Sequence, residues 1–339
     1  MRQSALALLA AICTLAFAGC THHHGPRPGQ TTLGMVTDVG GLGDRSFNDS
    51  AYRGLLHAQS ALGAYVQVLQ SRSAADYQPN LIALTNLHFQ MIYAIGFLMS
   101  LDLDQVAKAN PTQKYAIIDA VVDDPNVVSV TFREQDGSFL AGALAAMVSK
   151  THHIAFLGGQ DIPLLRKFEA GYIAGAREVD PSIVVDVKYV GSFDDVAAGQ
   201  ELSDVLYNGG ADIIYAAAGK AGLGTVDAVK SRTGCYMIGV DSDQDDLAPG
   251  KVLTSMVKKV DVAVYDVAKA MHDGTPIHGH VVFGLKDGAI GLTNFRYTKS
   301  AIGAANLARL STIEAAIVSG KIKPPDSREA LAAFKPVPL

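Results

Sequence analysis

The chain is poor in cysteine, with three among 339 residues. Cys13 and Cys20 lie in and directly after an apolar N-terminal stretch, which leaves Cys235 alone in a later apolar segment. No disulfide framework can be built from this set, and a buried structural thiol is the interpretation that the sequence favours for Cys235.

An excess of basic residues is missing too. The 28 Lys and Arg residues are outnumbered by 33 Asp and Glu residues, which gives a net charge of -5. A nucleic-acid-binding protein would carry a basic face, so the composition argues against a nucleic-acid partner. A length of 339 residues is enough for two domains of ordinary size.

The sequence also lacks the common catalytic motifs. It has no Gly-x-Ser-x-Gly elbow and no His-Glu-x-x-His pair, and no cysteine lies near a base. His152 and His153 begin an apolar strand and fit surface or core positions better than ligand positions. The sequence therefore predicts a protein that is not an enzyme, with no cofactor and no metal site.

The first 19 residues have the layout of an export signal. Arg2 precedes an apolar run at 5–18 that ends in small residues before Cys20, and this run is too short for a settled transmembrane span. The letters FAGC at 17–20 resemble the bacterial lipobox, whose cysteine is acylated and becomes the mature N-terminus. The alternative is an ordinary secretory signal with an incidental cysteine.

Lipidation of Cys20, by palmitate among other chains, would make the protein a lipoprotein. Residues 20–30 would then form a flexible tether, and the folded part would be held at a cell membrane, outside the cytoplasm.

Short apolar segments alternate with amphipathic ones along the rest of the chain, which predicts strand–helix–strand units and parallel sheets. The predicted strands lie at 32–37, 65–69, 90–95, 114–119 and 127–132, and then at 153–157, 184–190, 212–217 and 235–240. Helical patterns lie at 49–62, 77–87, 102–109, 137–150, 164–179, 196–207 and 222–231. Two successive sets of about five strands predict two parallel sheets, each covered by helices on both faces.

Right-handed crossovers place the loops that follow the strands on one edge of each sheet, so two facing lobes would share a cleft. A strand at 252–257, a helix at 261–272 and a strand at 281–285 would recross between the lobes, and a terminal helix is predicted at 301–319. We expect a first lobe of residues 31–132 plus 258–280 and a second lobe of residues 133–257 plus 281–339.

The loop at 38–48 follows the first predicted strand and combines a Gly-rich turn with Ser46, Phe47 and Asn48. Ligands of open α/β sheets bind beyond such strand ends. Phe47 either faces a ligand or anchors the helix that follows, and Ser46 and Asn48 are also common helix N-caps.

Further candidates lie at other strand ends and helix starts. Asp119 and Asp241 each end an apolar strand, where a carboxylate can accept hydrogen bonds from ring N–H groups or a sugar diol, or can serve as a turn residue. Phe168 could enclose a flat ligand or pack in the core. Lys258 could donate to ligand hydroxyls or be solvated, and the Gly-rich loop at 217–224 allows a close backbone approach.

These segments strongly resemble the basic membrane protein family of bacterial lipoproteins, the purine-nucleoside receptor group of substrate-binding proteins for ABC importers. The resemblance runs from about residue 32 to residue 292. It is carried by GDRSFN at 43–48, GF at 96–97, AIID at 116–119, DPNV at 124–127, GSFLAG at 137–142, RKFEAGY at 166–172, GVDSDQ at 239–244 and SMVKK at 255–259.

The resemblance implies an α/β type I periplasmic-binding-protein fold, with two doubly wound parallel-sheet lobes joined by a hinge. It also implies a nucleoside ligand, with purines favoured, that is delivered to an ABC permease by a monomeric receptor. The residues that it assigns to the ligand are Ser46, Phe47, Asn48, Asp119, Phe168, Gly219, Asp241 and Lys258.

By this similarity Phe47 and Phe168 would sandwich the base, and Asn48 and Asp119 would hydrogen-bond its edge. Other residues of the set would hold the ribose.

In the ribose part, Asp241 and Lys258 would bind the hydroxyls and Gly219 would add a backbone contact. Ser46 and Asp44 would shape the first loop.

Lys220 departs from the family pattern, in which a small or neutral residue is common, so the sequence leaves open a ligand with a negative group. Two other functions stay open as well. One is a binding protein of the same fold for a free sugar or a signalling furanose, which needs no aromatic sandwich. The other is a nucleoside hydrolase or phosphorylase.

Overall fold

The computed structural model describes residues 25–275, 277 and 279–338. The predicted export signal at 1–19, Cys20 and the first part of the tether lie outside the described residues. Within the described part, no helix combines the length and the apolar character needed to cross a bilayer.

Strands and helices alternate as the sequence predicts. The strands are β1 Thr32–Thr37, β2 Tyr65–Gln70, β3 Met91–Ile95, β4 Tyr115–Ile118, β5 Val127–Phe132, β6 His153–Gly158, β7 Val184–Tyr189, β8 Ile213–Ala217, β9 Tyr236–Asp241, β10 Val252–Lys258, β11 Gly279–Phe283 and β12 Ile290–Leu292. The helices are α1 Phe47–Leu62, α2 Tyr77–Asn86, α3 Ser100–Ala109, α4 Glu134–Val148, α5 Pro163–Val179, α6 Val196–Asn208, α7 Leu223–Lys230, α8 Val260–His272, α9 Lys299–Ile302, α10 Ala304–Val318 and α11 Arg328–Ala333.

The strands form two six-stranded sheets. The sheet of the first lobe has the order β11-β5-β4-β3-β1-β2, and all its neighbouring strands are parallel. The sheet of the second lobe has the order β12-β10-β9-β8-β6-β7 and is parallel except for the edge strand β12, which runs antiparallel to β10. The predicted fold class, an α/β fold with two parallel-sheet lobes, is confirmed.

Burial explains why the central strands can be recognised in the amino-acid sequence. Every residue of β3 and β4 is buried, as is all of β1 except its first residue. Strands covered by helices on both faces must be apolar throughout, and they appear in the sequence as continuous apolar runs. The edge strand β11 is mostly exposed, which makes its pattern weak.

The chain passes between the two sheets from β5 to α4, from β10 to α8 and from β11 to β12. The strand predicted at 281–285 is found at Gly279–Phe283, where it pairs with β5 in the first sheet. A boundary after residue 280 therefore passes through this strand. The helix predicted at 301–319 is divided into α9 and α10 at Gly303, whose φ of 81° interrupts the helical backbone.

Helices α4 and α5 pack backbone to backbone in the second lobe. A Cβ on Gly142 would lie 1.9 Å from the carbonyl oxygen of Tyr172, and one on Gly175 would lie 1.9 Å from that of Phe139. Only glycine fits at such a crossing. The small residues of α4 thus fix the position of α5, which carries Phe168 at the edge that faces the first lobe.

Candidate ligand-binding site

A cavity lies between the two lobes, where the loops after the strands face each other. It encloses about 580 Å³ of space between protein atoms, with the open solvent at its mouth included. The first lobe contributes Asp38, Gly40, Asp44, Phe47, Asn48, Gly96, Phe97, Leu98 and Asp119 to its wall. The second lobe contributes Ile162, Leu164, Leu165, Phe168, Phe193, Ala217, Gly219, Lys220, Val240, Asp241 and Lys258.

Seven of the eight residues that the resemblance assigns to the ligand line this cavity, and Ser46 does not. Phe47 lies at the start of α1 and Phe168 on α5, so their rings come from opposite lobes. Both rings are buried, and the Nζ atom of Lys258 lies 4.8 Å from the centre of the Phe47 ring and 5.5 Å from that of Phe168. The cavity therefore has an aromatic face on each side of one ammonium group.

Lys258 is the centre of a buried charge cluster. Its side chain is 2% exposed, and its Nζ atom lies 2.5 Å from an oxygen of Asp119 and 3.8 Å from oxygens of both Asp241 and Glu134. Burial alone would lower the pKa of Lys258, but these three carboxylates outweigh it and raise the pKa above its usual range. The ammonium group therefore stays charged and holds carboxylates from both lobes together.

Several carboxyl groups at or near this cavity have raised pKa values, and burial is the largest cause in each. Burial raises the pKa of Glu134 to about 7, against the lowering effect of Lys258. Burial likewise raises the pKa of Asp38 to about 7 and that of Asp241 to about 6, although hydrogen bonds from neighbouring groups oppose both shifts. Strongly shifted carboxyl groups in a cleft are typical of a functional site.

Asp119 and Asp241 occupy corresponding positions in the two lobes, one directly after β4 and one at the end of β9. Both have left-handed backbones, with φ values of 70° and 62°. Such a conformation is costly for a residue with a Cβ and is concentrated at binding sites. The two carboxylates are thus turned out of their strands at the cavity.

Ser46 lies behind the cavity wall and joins the lobes. Its Oγ lies 2.8 Å from Oδ2 of Asp241 and 3.1 Å from the carbonyl oxygen of Val240, and these two acceptors share its single proton. Its own carbonyl oxygen accepts a hydrogen bond from Ser242 Oγ at 2.8 Å, and Gln244 Nε2 donates to the carbonyl oxygen of Arg45 at 3.1 Å. The hydroxyl of Ser46 is therefore committed to the second lobe.

Asn48 is held by two carboxylates of the first lobe. Its Nδ2 donates to Asp38 Oδ1 at 2.8 Å and to Asp44 Oδ2 at 3.1 Å. Asp44 also accepts from the backbone N–H groups of Ser46, Asn48 and Asp49, and this pattern fixes the start of α1.

Four residues at or near the cavity are not among those predicted from the sequence, namely Asp38, Phe97, Glu134 and Phe193. Asp38 directly follows β1, as Asp119 directly follows β4. The rule that ligands bind at the carboxyl ends of strands would therefore have predicted Asp38 as well. Phe97 belongs to the GF motif at 96–97, one of the segments that carry the family resemblance. Glu134 and Phe193 carry no local signal, because their positions depend on contacts between distant segments.

Comparison with known proteins places this arrangement among transport receptors. The family described as "Bmp: ABC transporter substrate-binding protein PnrA-like" matches residues 31–327. A "CD4+ T-cell-stimulating antigen" of Listeria monocytogenes is 36% identical over 87% of this chain and 88% of its own length. The "ABC transporter nucleoside-binding protein BmpA" of Lactococcus lactis is 34% identical over 86% of this chain and 91% of its own.

Solved structures agree with these relatives. A solute-binding protein of an ABC transporter system from Aeropyrum pernix superposes with a TM-score of 0.84 at 28% identity, covering 89% of this chain and 96% of its own. A transcriptional activator of the comK gene from Bacillus halodurans superposes with a TM-score of 0.73 at 23% identity, covering 87% of this chain and 100% of its own. The second likeness shows the shared fold alone.

Proposed function

Because the chain belongs to the Bmp family of PnrA-like ABC transporter substrate-binding proteins, we propose that it captures a nucleoside between its lobes and delivers it to an ABC permease. The family consists of binding proteins, so we expect capture and release of the ligand without turnover. The name of the Lactococcus lactis relative, a nucleoside-binding protein, supports this ligand class.

The observation that carries the proposal is the cavity in which aromatic rings from both lobes and buried carboxylates converge. Phe47 and Phe168 would enclose the flat base, and stacking adds about 0.5–1.5 kcal/mol per ring pair beyond area burial. Asn48 and Asp119 would hydrogen-bond the edge of the base. A purine, with the larger ring system, would make more use of two such faces.

The ribose would lie toward the second lobe. Asp241 would accept hydrogen bonds from its hydroxyls, and Lys258, which touches both strand-end carboxylates, would hold Asp241 and donate to the same hydroxyls. Gly219 would add a backbone contact, since it lines the cavity and has no side chain to keep a ligand away from its backbone. Lys220 also lines the cavity, so a nucleoside 5′-phosphate belongs among the compounds to be tested.

Calorimetric titration of the mature protein with inosine, guanosine, adenosine and ribose tests this function. We expect nucleosides to bind with a dissociation constant of about 1 μM or less, which corresponds to about 8 kcal/mol, and ribose to bind much more weakly. Tight binding of ribose with no binding of nucleosides would identify a sugar receptor instead. Release of free base during prolonged incubation would identify an enzyme.

We further propose that Cys20 is lipidated after removal of residues 1–19 and holds a monomeric receptor at the membrane, outside the cytoplasm. The tether at 20–30 would connect the anchor to β1. Mass spectrometry of the mature N-terminus and fractionation of a Cys20→Ala variant test this arrangement, because the variant should leave the membrane fraction. Light scattering tests the monomer.

A further inference from the structure

The geometry points to a cavity that selects bases with N–H donors on the edge facing the first lobe, so that guanosine and inosine are preferred to adenosine. This inference rests on the proposed function, since it names which members of the nucleoside class the site accepts. It depends on the orientation of Asn48 and on the free acceptor atoms of the cavity.

The amide of Asn48 has one orientation. Its Nδ2 lies between Asp38 Oδ1 and Asp44 Oδ2, at 2.8 Å and 3.1 Å. Asp44 accepts from three backbone N–H groups as well, so it acts as an acceptor here. A flipped amide would place its oxygen against Asp44 Oδ2, which already accepts from the backbone N–H of Asn48 and so offers no proton to it.

This orientation directs Oδ1 of Asn48 away from the two carboxylates. The atom is buried and has no hydrogen-bond partner among the described residues, and Asn48 lines the cavity. The residue as a whole is 2% exposed. A buried acceptor of this kind costs free energy unless a ligand or a water molecule donates a hydrogen bond to it.

A second unpaired acceptor belongs to another residue of the same cavity wall. Oδ2 of Asp119 is held by Lys258 at 2.5 Å, whereas Oδ1 is buried without a partner in the described part of the chain. Asp119 is 6% exposed and also lines the cavity. The groups that the resemblance assigns to the base edge therefore present two unpaired acceptors.

The purine bases differ in how many hydrogen bonds they can donate to two neighbouring acceptor atoms. Guanine offers an N1–H and an exocyclic amino group as adjacent donors, and hypoxanthine offers the N1–H. Adenine carries an amino group, but its N1 atom is itself an acceptor and would face another acceptor. Pairing buried polar groups is the strongest means by which a site rejects a close analogue.

Titration of the unaltered protein with guanosine, inosine, adenosine and 1-methylguanosine tests the inference. We expect guanosine to bind at least tenfold more tightly than adenosine, and 1-methylguanosine, whose N1 donor is blocked, to lose at least tenfold relative to guanosine. Equal affinities for guanosine and adenosine, or an unchanged affinity for 1-methylguanosine, would overturn the inference and leave the nucleoside function intact. Failure of all four compounds to bind would refute the proposed function instead.

The variant Asn48→Ala adds a second measurement. It should bring the ratio of guanosine to adenosine affinities close to one, whereas Asn306→Ala, which removes an amide on α10 that bonds only backbone carbonyl oxygens, should leave the ratio unchanged. A ratio retained in Asn48→Ala would contradict the role of this amide. If Asn48→Ala does not fold, the four compounds on the unaltered protein still decide.

Discussion

Replacing Lys258 by Met should destabilise the protein strongly, because it removes the ammonium group that contacts three buried carboxylates. Lys258 Nζ lies 2.5 Å from Asp119 and 3.8 Å from both Asp241 and Glu134. Methionine keeps most of the apolar stem and its packing against Phe47 and Phe168. The expected loss is therefore mainly electrostatic.

Removing one partner of a buried ion pair costs about 3–5 kcal/mol, since the other charge is left without compensation. We expect Lys258→Met to lower the free energy of unfolding by about that amount in urea denaturation. Neutralising the closest carboxylate in the double variant Lys258→Met with Asp119→Asn should recover part of the loss, because fewer unpaired charges remain.

The matched control is Lys108→Met. Lys108 pairs with Asp104 at 2.7 Å, but its side chain is 61% exposed, and an exposed pair on one helix contributes about 0.3–0.5 kcal/mol. The charge-cluster interpretation is refuted if Lys258→Met unfolds at the same urea concentration as Lys108→Met, or if the double variant is no more stable than Lys258→Met.

Three further variants test other parts of the structure. Ser46→Ala should weaken nucleoside binding about tenfold, mainly through faster dissociation measured by stopped flow, because a hydrogen bond to a charged group is worth about 1.5–3 kcal/mol. The control Ser60→Ala should leave the dissociation rate unchanged, since its hydroxyl donates to the carbonyl oxygen of His57 on the exposed side of α1. Gly175→Ala should lower the free energy of unfolding by about 1–3 kcal/mol, since its Cβ would lie 1.9 Å from the Phe139 carbonyl oxygen. A thermal midpoint equal to that of Gly291→Ala, whose Cβ would meet no neighbour and whose φ lies outside the left-handed region, would contradict the tight crossing. Glu134→Gln tests the pH dependence of stability. Burial raises the pKa of Glu134 from 4.5 to about 7. The contribution of Glu134 to the unfolding free energy is therefore fully present below pH 4.5 and is lost as the pH rises to about 7, a change of up to about 3 kcal/mol. The variant should therefore show a flatter decline of unfolding free energy across this window, and an identical decline would exclude Glu134 as its source.

The sequence was sufficient to place the central strands within a residue or two. Strand β5, for example, lies at Val127–Phe132, the range predicted, because it is a buried apolar run with polar residues on both sides. The edge strand β12 and the short helix α11 were not predicted. Both are short, and α11 depends on Ser327, whose side chain accepts from the N–H of Ala330.

The site was predictable where a residue ends a strand and not where distant segments meet. Asp119 and Asp241 could be located because parallel strands place their ends at one edge. The contact of Ser46 with Asp241 joins residues 195 positions apart, and no local pattern indicates it. The Lys258–Lys259 pair fits a solvated surface, yet Lys258 is buried because β10 enters the second lobe beside the crossing to α8.

The hydrogen bonds of Ser46, Ser242 and Gln244 connect the lobes through protein atoms alone. Their free energy is available to the closed state whether or not a nucleoside is bound, so a fraction of empty receptors should be closed at any moment. Apparent affinity then depends on that fraction as well as on ligand contacts. At a permease that recognises the closed state, closed receptors without ligand would compete with loaded ones. The strength of these interlobe hydrogen bonds would then affect the fraction of docking events that deliver no ligand.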